Sequence, residues 1–169
     1  MTEGVAVAER IARFLVADHR RLERLLDRSV AGAGPVDLAA FAPFRAGLLR
    51  HIALEEKVLL PALRERLGGP PPMARRLRVE HGAIASLLVP TPTRELVTEL
   101  LSILEPHDAM EEDEGGLYAL SGALPDAVAE ALLDRCRAYP AVKVAKYYDG
   151  PRACRTAAEA LALSARQTA

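Results

Sequence analysis

Between residues 11 and 111, apolar side chains recur at the three- and four-residue spacing of a single helix face. One segment places Ile11, Leu15, His19, Leu22 and Leu26 on such a face. A second aligns Phe44, Leu48, His51, Glu55, Val58 and Ala62. A third aligns Met73, Leu77, His81, Ile84 and Leu88, and a fourth Leu96, Leu100, Ile103, His107 and Glu111. The stretches between them, "AGAGPVD" (31–37), "LGGPPP" (67–72) and "VPTPT" (89–93), are built from residues that stop helices. Connections this short favour antiparallel neighbours, so the expected fold is all-α, an up-down-up-down four-helix bundle over residues 1–122. Beyond Pro125, "DAVAEALLDRCRA" predicts a further helix, and an Ala-rich helix is expected from Pro151 to Arg166. Residues 123–169 thus read as a C-terminal helical extension packed on the bundle.

Composition narrows the function classes. The chain has 169 residues, enough for one domain with a sizeable core. It carries 22 basic and 23 acidic residues, a balance that lacks the basic excess of a nucleic-acid-binding face. Glu9, Arg10 and Arg13 interrupt the apolar residues near the N-terminus, so no secretory leader is expected there. No apolar run is long enough to span a bilayer. The two cysteines, Cys136 and Cys154, have no CxxC spacing and imply no disulfide scaffold, which makes the cytoplasm the expected compartment.

The chemistry lies with the histidines. There are four, one in each periodic segment and each on the apolar face. In antiparallel helices, residues equidistant from a turn lie at the same height. The midpoint of His19 and His51 is Pro35, that of His51 and His81 is Arg66, and that of His81 and His107 is Arg94. Each midpoint falls within about three residues of a breaker, roughly 5 Å along a helix. Four imidazoles are therefore expected at one level. Glu55 follows His51 by four and Glu111 follows His107 by four, which puts both carboxylates on the same faces. An isolated buried carboxylate is too costly to keep, and no Lys or Arg stands on the apolar face at that level. A cation supplies the missing charge. Mixed imidazole and carboxylate donors suit iron, manganese or zinc better than magnesium or calcium. Four His and two Glu exceed a four-ligand zinc site, so two cations with bridging carboxylates are expected, each with two imidazoles and an open position.

The pattern His19, His51-Ile-Ala-Leu-Glu55, His81 and His107-Asp-Ala-Met-Glu111 resembles the hemerythrin-like (HHE cation-binding) proteins over roughly residues 10–122. "HIALEEKVLLPAL" and "EHGAI" are similar to that family's second and third helices. The resemblance implies a four-helix bundle with two iron ions joined by an oxo or hydroxo bridge, zinc or manganese being substitutes. It also implies oxygen binding, redox or iron sensing, or peroxide and nitric oxide chemistry. Two departures stand out. The oxygen carriers have a second histidine one turn from the third-helix ligand, whereas Leu77 and Ala85 occupy those positions here. Gly115-Gly116 replaces bulky apolar residues, so the fourth helix is expected to bend or loosen there.

Other residues near the pattern carry weaker expectations. Glu23 forms a third HxxxE with His19, but Arg20, Arg21 and Arg24 around it suggest a surface ion-pair cluster. Glu56 and Glu112 should rotate away from the metals, either into solvent or to a place behind a ligand. Asp18, Glu80 and Asp108 read as surface acids, with a hydrogen bond to an imidazole as the alternative. Pro61 and Pro106 are candidate helix kinks. Tyr118 lies at the site's end of the fourth helix, and Tyr139, Tyr147 and Tyr148 lie in a tail that could cover the mouth of the bundle. A tyrosine as an added metal ligand or redox group is the functional reading of these four. The two cysteines read as small apolar residues.

Three functions remain open at this level. One is a di-iron redox enzyme that decomposes peroxide in a catalase-like reaction, another an oxygen, nitric oxide or iron sensor or store, and the third a structural bundle with zinc or no metal. The expected partner is a small ligand (dioxygen, peroxide or nitric oxide). The last helix offers a face on which a second copy could pair.

Overall fold

A computed structural model describes residues 7–169, and the N-terminal stretch read for a leader begins outside them. Among the described residues the chain is helical and has no strand. The helices are α1 (Val7–Val30), α2 (Leu38–Leu54), α3 (Leu60–Leu67), α4 (Ala74–Leu87), α5 (Arg94–Glu112), α6 (Leu117–Leu120), α7 (Asp126–Ala138) and α8 (Ala157–Thr168). No helix is long and apolar enough to cross a membrane.

Local signals in the sequence account for the ends. Asp37 caps α2 by accepting from the backbone N–H groups of Ala39 and Ala40, and Thr93 caps α5 by accepting from Leu96. Gly68 takes the left-handed conformation (φ 71°) that closes α3. The last helix starts at Ala157 rather than Pro151, because Thr156 and Glu159 form a reciprocal capping box. Its inner face is already occupied. Ala160 and Ser164 are buried, and Ser164 stands where a Cβ on Gly82 of α4 would lie. That face of α8 thus packs on α4, while α7 packs on α1.

The second periodic segment is one rod with a defect. Glu55–Leu59 forms a π-helical turn between α2 and α3, and the Leu60 N–H bonds to the Glu55 carbonyl five residues back. Pro61 gives the reason. It has no N–H to donate, and in a regular helix its ring would press on the Lys57 carbonyl; the widened turn relieves that clash. Pro106 has no such effect, since α5 runs through it to Glu112.

The core is split. Ile11, Leu15, Leu54, Leu63, Leu77 and Leu133 belong to one apolar cluster. Leu22, Phe44, Leu48, Ile84, Leu87 and Leu100 belong to another. Burial of each such side chain contributes roughly 1.5–3 kcal/mol. Along α1 the histidine falls between Leu15 of one cluster and Leu22 of the other, and along α4 between Leu77 and Ile84. The histidine level is a polar layer between two apolar ones.

Candidate metal centre

The structure brings all six residues singled out by the sequence to this layer. His19, His51, His81 and His107 are each 2–3% exposed, and Glu55 and Glu111 are fully buried. Their donor atoms fall into two sets. His19, His51, Glu55 and Glu111 form one lobe, and His81, His107, Glu55 and Glu111 the other. Each glutamate sends one oxygen to each lobe. Glu55 Oε1 lies 3.3 Å from His51 Nε2, and Glu55 Oε2 lies 3.1 Å from His81 Nε2. Glu111 Oε2 lies 3.5 Å from His19 Nε2, and Glu111 Oε1 lies 3.1 Å from His107 Nε2.

A test of whether these residues fit a cation comes from the hydrogen bonding. Glu55 Oε2, His81 Nε2 and Glu111 Oε1 are buried and have no hydrogen-bond partner. His81 Nε2 and Glu55 Oε2 are only 3.1 Å apart, yet their approach is off the hydrogen-bond line. A buried polar atom left unpaired costs about 1–3 kcal/mol, and more if charged. Three such atoms converging on one lobe suit a cation between them, and the donor chemistry suits iron, manganese or zinc.

Every imidazole is held from behind by a carboxylate on its other nitrogen. Asp18 Oδ2 lies 3.0 Å from His51 Nδ1, and Glu112 Oε1 lies 2.7 Å from His19 Nδ1. Glu56 Oε1 and Glu80 Oε2 each lie 2.8 Å from the Nδ1 of His81 and His107 respectively. These bonds fix the tautomer, with the proton on Nδ1 and Nε2 free to face the layer. The sequence favoured a surface place for Asp18 and Glu80 and left Glu56 and Glu112 between solvent and the back of a ligand; the structure puts all four behind the imidazoles. A signal for them was present: "DH" pairs with "HIALEE", and "EH" with "HDAMEE". An acid before one histidine and a second glutamate after HxxxE recur in both halves. The acid before His19 serves His51, the acid before His81 serves His107, and the extra glutamates serve His81 and His19. Glu55 and Glu56 flank His81 just as Glu111 and Glu112 flank His19.

The charges reinforce one another. Burial by itself would depress the His51 imidazolium, but Glu55 and Asp18 outweigh it and hold its pKa up at about 10. His107 is held up at about 9 against burial, by Glu111 and Glu80. Burial would raise the Asp18 carboxyl, but His51 and Arg21 bring it down to about 2. Asp108, beside His19 at 3.8 Å, is pushed up to about 6, chiefly by burial.

Residues 10–115 match the family model described as the hemerythrin HHE cation binding domain. The chain belongs to that family. No curated protein and no solved structure matches the chain. Membership makes this hemerythrin-family chain a metal-binding module, and the paired His and Glu groups are where a metal could sit.

The remaining sequence candidates separate cleanly. Glu23 is half-exposed and pairs with Arg20, away from the layer. Tyr147 stacks under the Arg45 guanidinium 4.2 Å away, Tyr148 is exposed, and the Tyr139 carbonyl accepts from Arg50, so the tail tyrosines stay outside. Tyr118 is inside. Gly116 explains how it arrives. The α5 helix ends at Glu112, and the chain turns so tightly that a Cβ on Gly116 would collide with the carbonyl oxygens of Met110, Glu111 and Asp113. The turn starts α6 at Leu117 and delivers Tyr118 to the layer. Cys136 is buried and Cys154 half-buried, both as free thiols.

Proposed function

We propose that the protein is a non-haem di-iron protein that decomposes hydrogen peroxide. The reading rests on one observation: two glutamates divide their four oxygens between two lobes, each with two imidazoles. His19, His51, Glu55 and Glu111 would hold one cation and His81, His107, Glu55 and Glu111 the other, with manganese or zinc as substitutes. When bound, the ion pair supplies the two-electron couple by which two peroxides become two waters and one dioxygen.

The chain's own part is to hold and exclude. Asp18, Glu56, Glu80 and Glu112 hold each imidazole by its Nδ1 and keep its Nε2 aimed inward, where a bound cation takes the place of a proton. The two apolar clusters above and below the layer keep bulk water from it. A groove of about 510 Å³ runs along α1 and α5, walled by Leu22, Leu26, Val97 and Leu101, and reaches His19 and Asp108. Its volume is ample for peroxide, dioxygen or nitric oxide. The convergence of four helical segments on one level also supports the up-down-up-down bundle as their arrangement, and the free thiols accord with a reducing cytoplasm.

The test is oxygen release. Iron-loaded protein mixed with peroxide should evolve dioxygen in a one-to-two ratio to peroxide consumed, faster than free iron and not in His51→Ala. A protein that binds two irons, cycles its spectrum reversibly with oxygen and turns over no peroxide would instead be a sensor or store.

A further inference from the structure

The two lobes are matched by eight side chains, four imidazoles and the four carboxylates behind them, and Tyr118 breaks the match. Its ring is 3% exposed. Its hydroxyl lies 2.6 Å from Glu55 Oε1, 3.0 Å from His19 Nε2, 3.2 Å from His51 Nε2 and 3.2 Å from Glu111 Oε2. Those four atoms are the donor set of the first lobe. The second lobe has no counterpart among the described residues.

A phenol oxygen has one proton to donate and two lone pairs, three interactions in all. Four polar atoms crowd it here, and two belong to carboxylates that only accept. A hydroxyl serving as a plain hydrogen-bond donor satisfies one of them. The spacing fits another role. Donors sharing a small cation at bonds of roughly 2.1 Å stand about 3 Å apart where their bonds meet at right angles. The Tyr118 oxygen keeps that separation from all four.

We infer that Tyr118 is a fifth protein ligand, as phenolate, to the cation held by His19 and His51. When the oxygen–metal bond forms, the O–H bond breaks and the proton leaves to solvent; no electron moves. The inference rests on the two-cation reading. It makes the two ions unequal, five protein donors on one and four on the other, and it replaces the histidine that Leu77 and Ala85 lack with a ligand from a different helix and in the opposite lobe from His81. Asp108, at 3.8 Å from His19 Nε2, also lies on this lobe's side, and it lines the groove rather than the centre.

The experiment uses the full chain loaded with ferric iron, with metal content measured alongside. Phenolate bound to ferric iron gives a visible charge-transfer band, and excitation into it enhances tyrosine ring vibrations in the Raman spectrum. Both are expected in the native protein, and ring-deuterated tyrosine should shift the vibrations. Tyr118→Phe keeps the ring and its packing, and should lose the band and vibrations while still binding two irons. Two irons without tyrosine vibrations, or vibrations that persist in Tyr118→Phe, would overturn the assignment and leave the two-cation reading standing. A native protein that takes up no iron would overturn both.

Discussion

Consider Glu56→Ala, which leaves every proposed ligand in place. Glu56 touches no other imidazole than His81, through a 2.8 Å bond to Nδ1, and its side chain is only 19% exposed. Removing it leaves the His81 ring free to rotate and its Nδ1 proton without an acceptor. A charge-assisted hydrogen bond of this kind is worth about 1.5–3 kcal/mol. Loss of such a carboxylate behind a metal-bound histidine commonly weakens metal affinity by roughly 10–100-fold, or about 1.4–2.7 kcal/mol. Competition against a coloured chelator measures this, with the circular dichroism melt confirming that the variant folds. Affinity at the His81–His107 lobe should fall by that range, and Glu56→Gln, which keeps an acceptor oxygen, should fall less. Glu23→Ala is the contrasting case. Glu23 also sits in an HxxxE pattern but faces solvent, so its removal should change affinity by no more than about twofold. Equal affinity in Glu56→Ala and the native protein would refute the role given to these four carboxylates.

Other outcomes follow from the same geometry. In the chelated protein, His51 and His107 titrate at about 10 and about 9, above the ordinary imidazole value of 6.5. Their contribution to stability is whole below 6.5 and lost as pH rises through 9 and 10, so the melting temperature should decline across that window. Asp18 works in the other direction: held at about 2 against an ordinary 3.8, it contributes above 3.8, and that share is lost as pH falls toward 2. Metal loading displaces the Nε2 protons, so the added stability of the loaded protein should grow as pH rises where the chelated protein weakens; parallel slopes would contradict this. Gly116→Ala places a methyl group against three carbonyl oxygens and should cost about 1–3 kcal/mol in denaturant unfolding, by forcing the turn that places Tyr118 to open. Phe44→Ala, in the cluster beside the layer, should cost about 3–5 kcal/mol by the same assay.

What could be read from the sequence divides along physical lines. Helical class and the inward faces were legible because burial imposes a 3.6-residue period, and His19 or Glu111 on that period has to be accommodated in the interior. The four supporting carboxylates were not, although "DH", "EH" and the doubled glutamates were in view. Asp18 lies one residue from His19, a rotation that reads as the surface side of α1, and only the placement of α2 shows that it faces His51. Glu56 lies one residue past a ligand, and only the placement of α4 shows that it meets His81. Tyr118 lies beyond the last periodic residue, and its path depends on how sharply the chain reverses at Gly116. The expected start of the last helix at Pro151 failed for a local reason, the capping box at Thr156 and Glu159.

Two cations sharing Glu55 and Glu111 are the centre of the proposed function. The most direct measurement is a titration of the chelated protein with ferrous iron under anaerobic conditions, followed to its end point. It should saturate at two irons per chain, and Glu55→Ala, which removes an oxygen from both lobes, should weaken the binding of both. An end point of one iron or none, or a Glu55→Ala variant that binds two as tightly as the native protein, would contradict it.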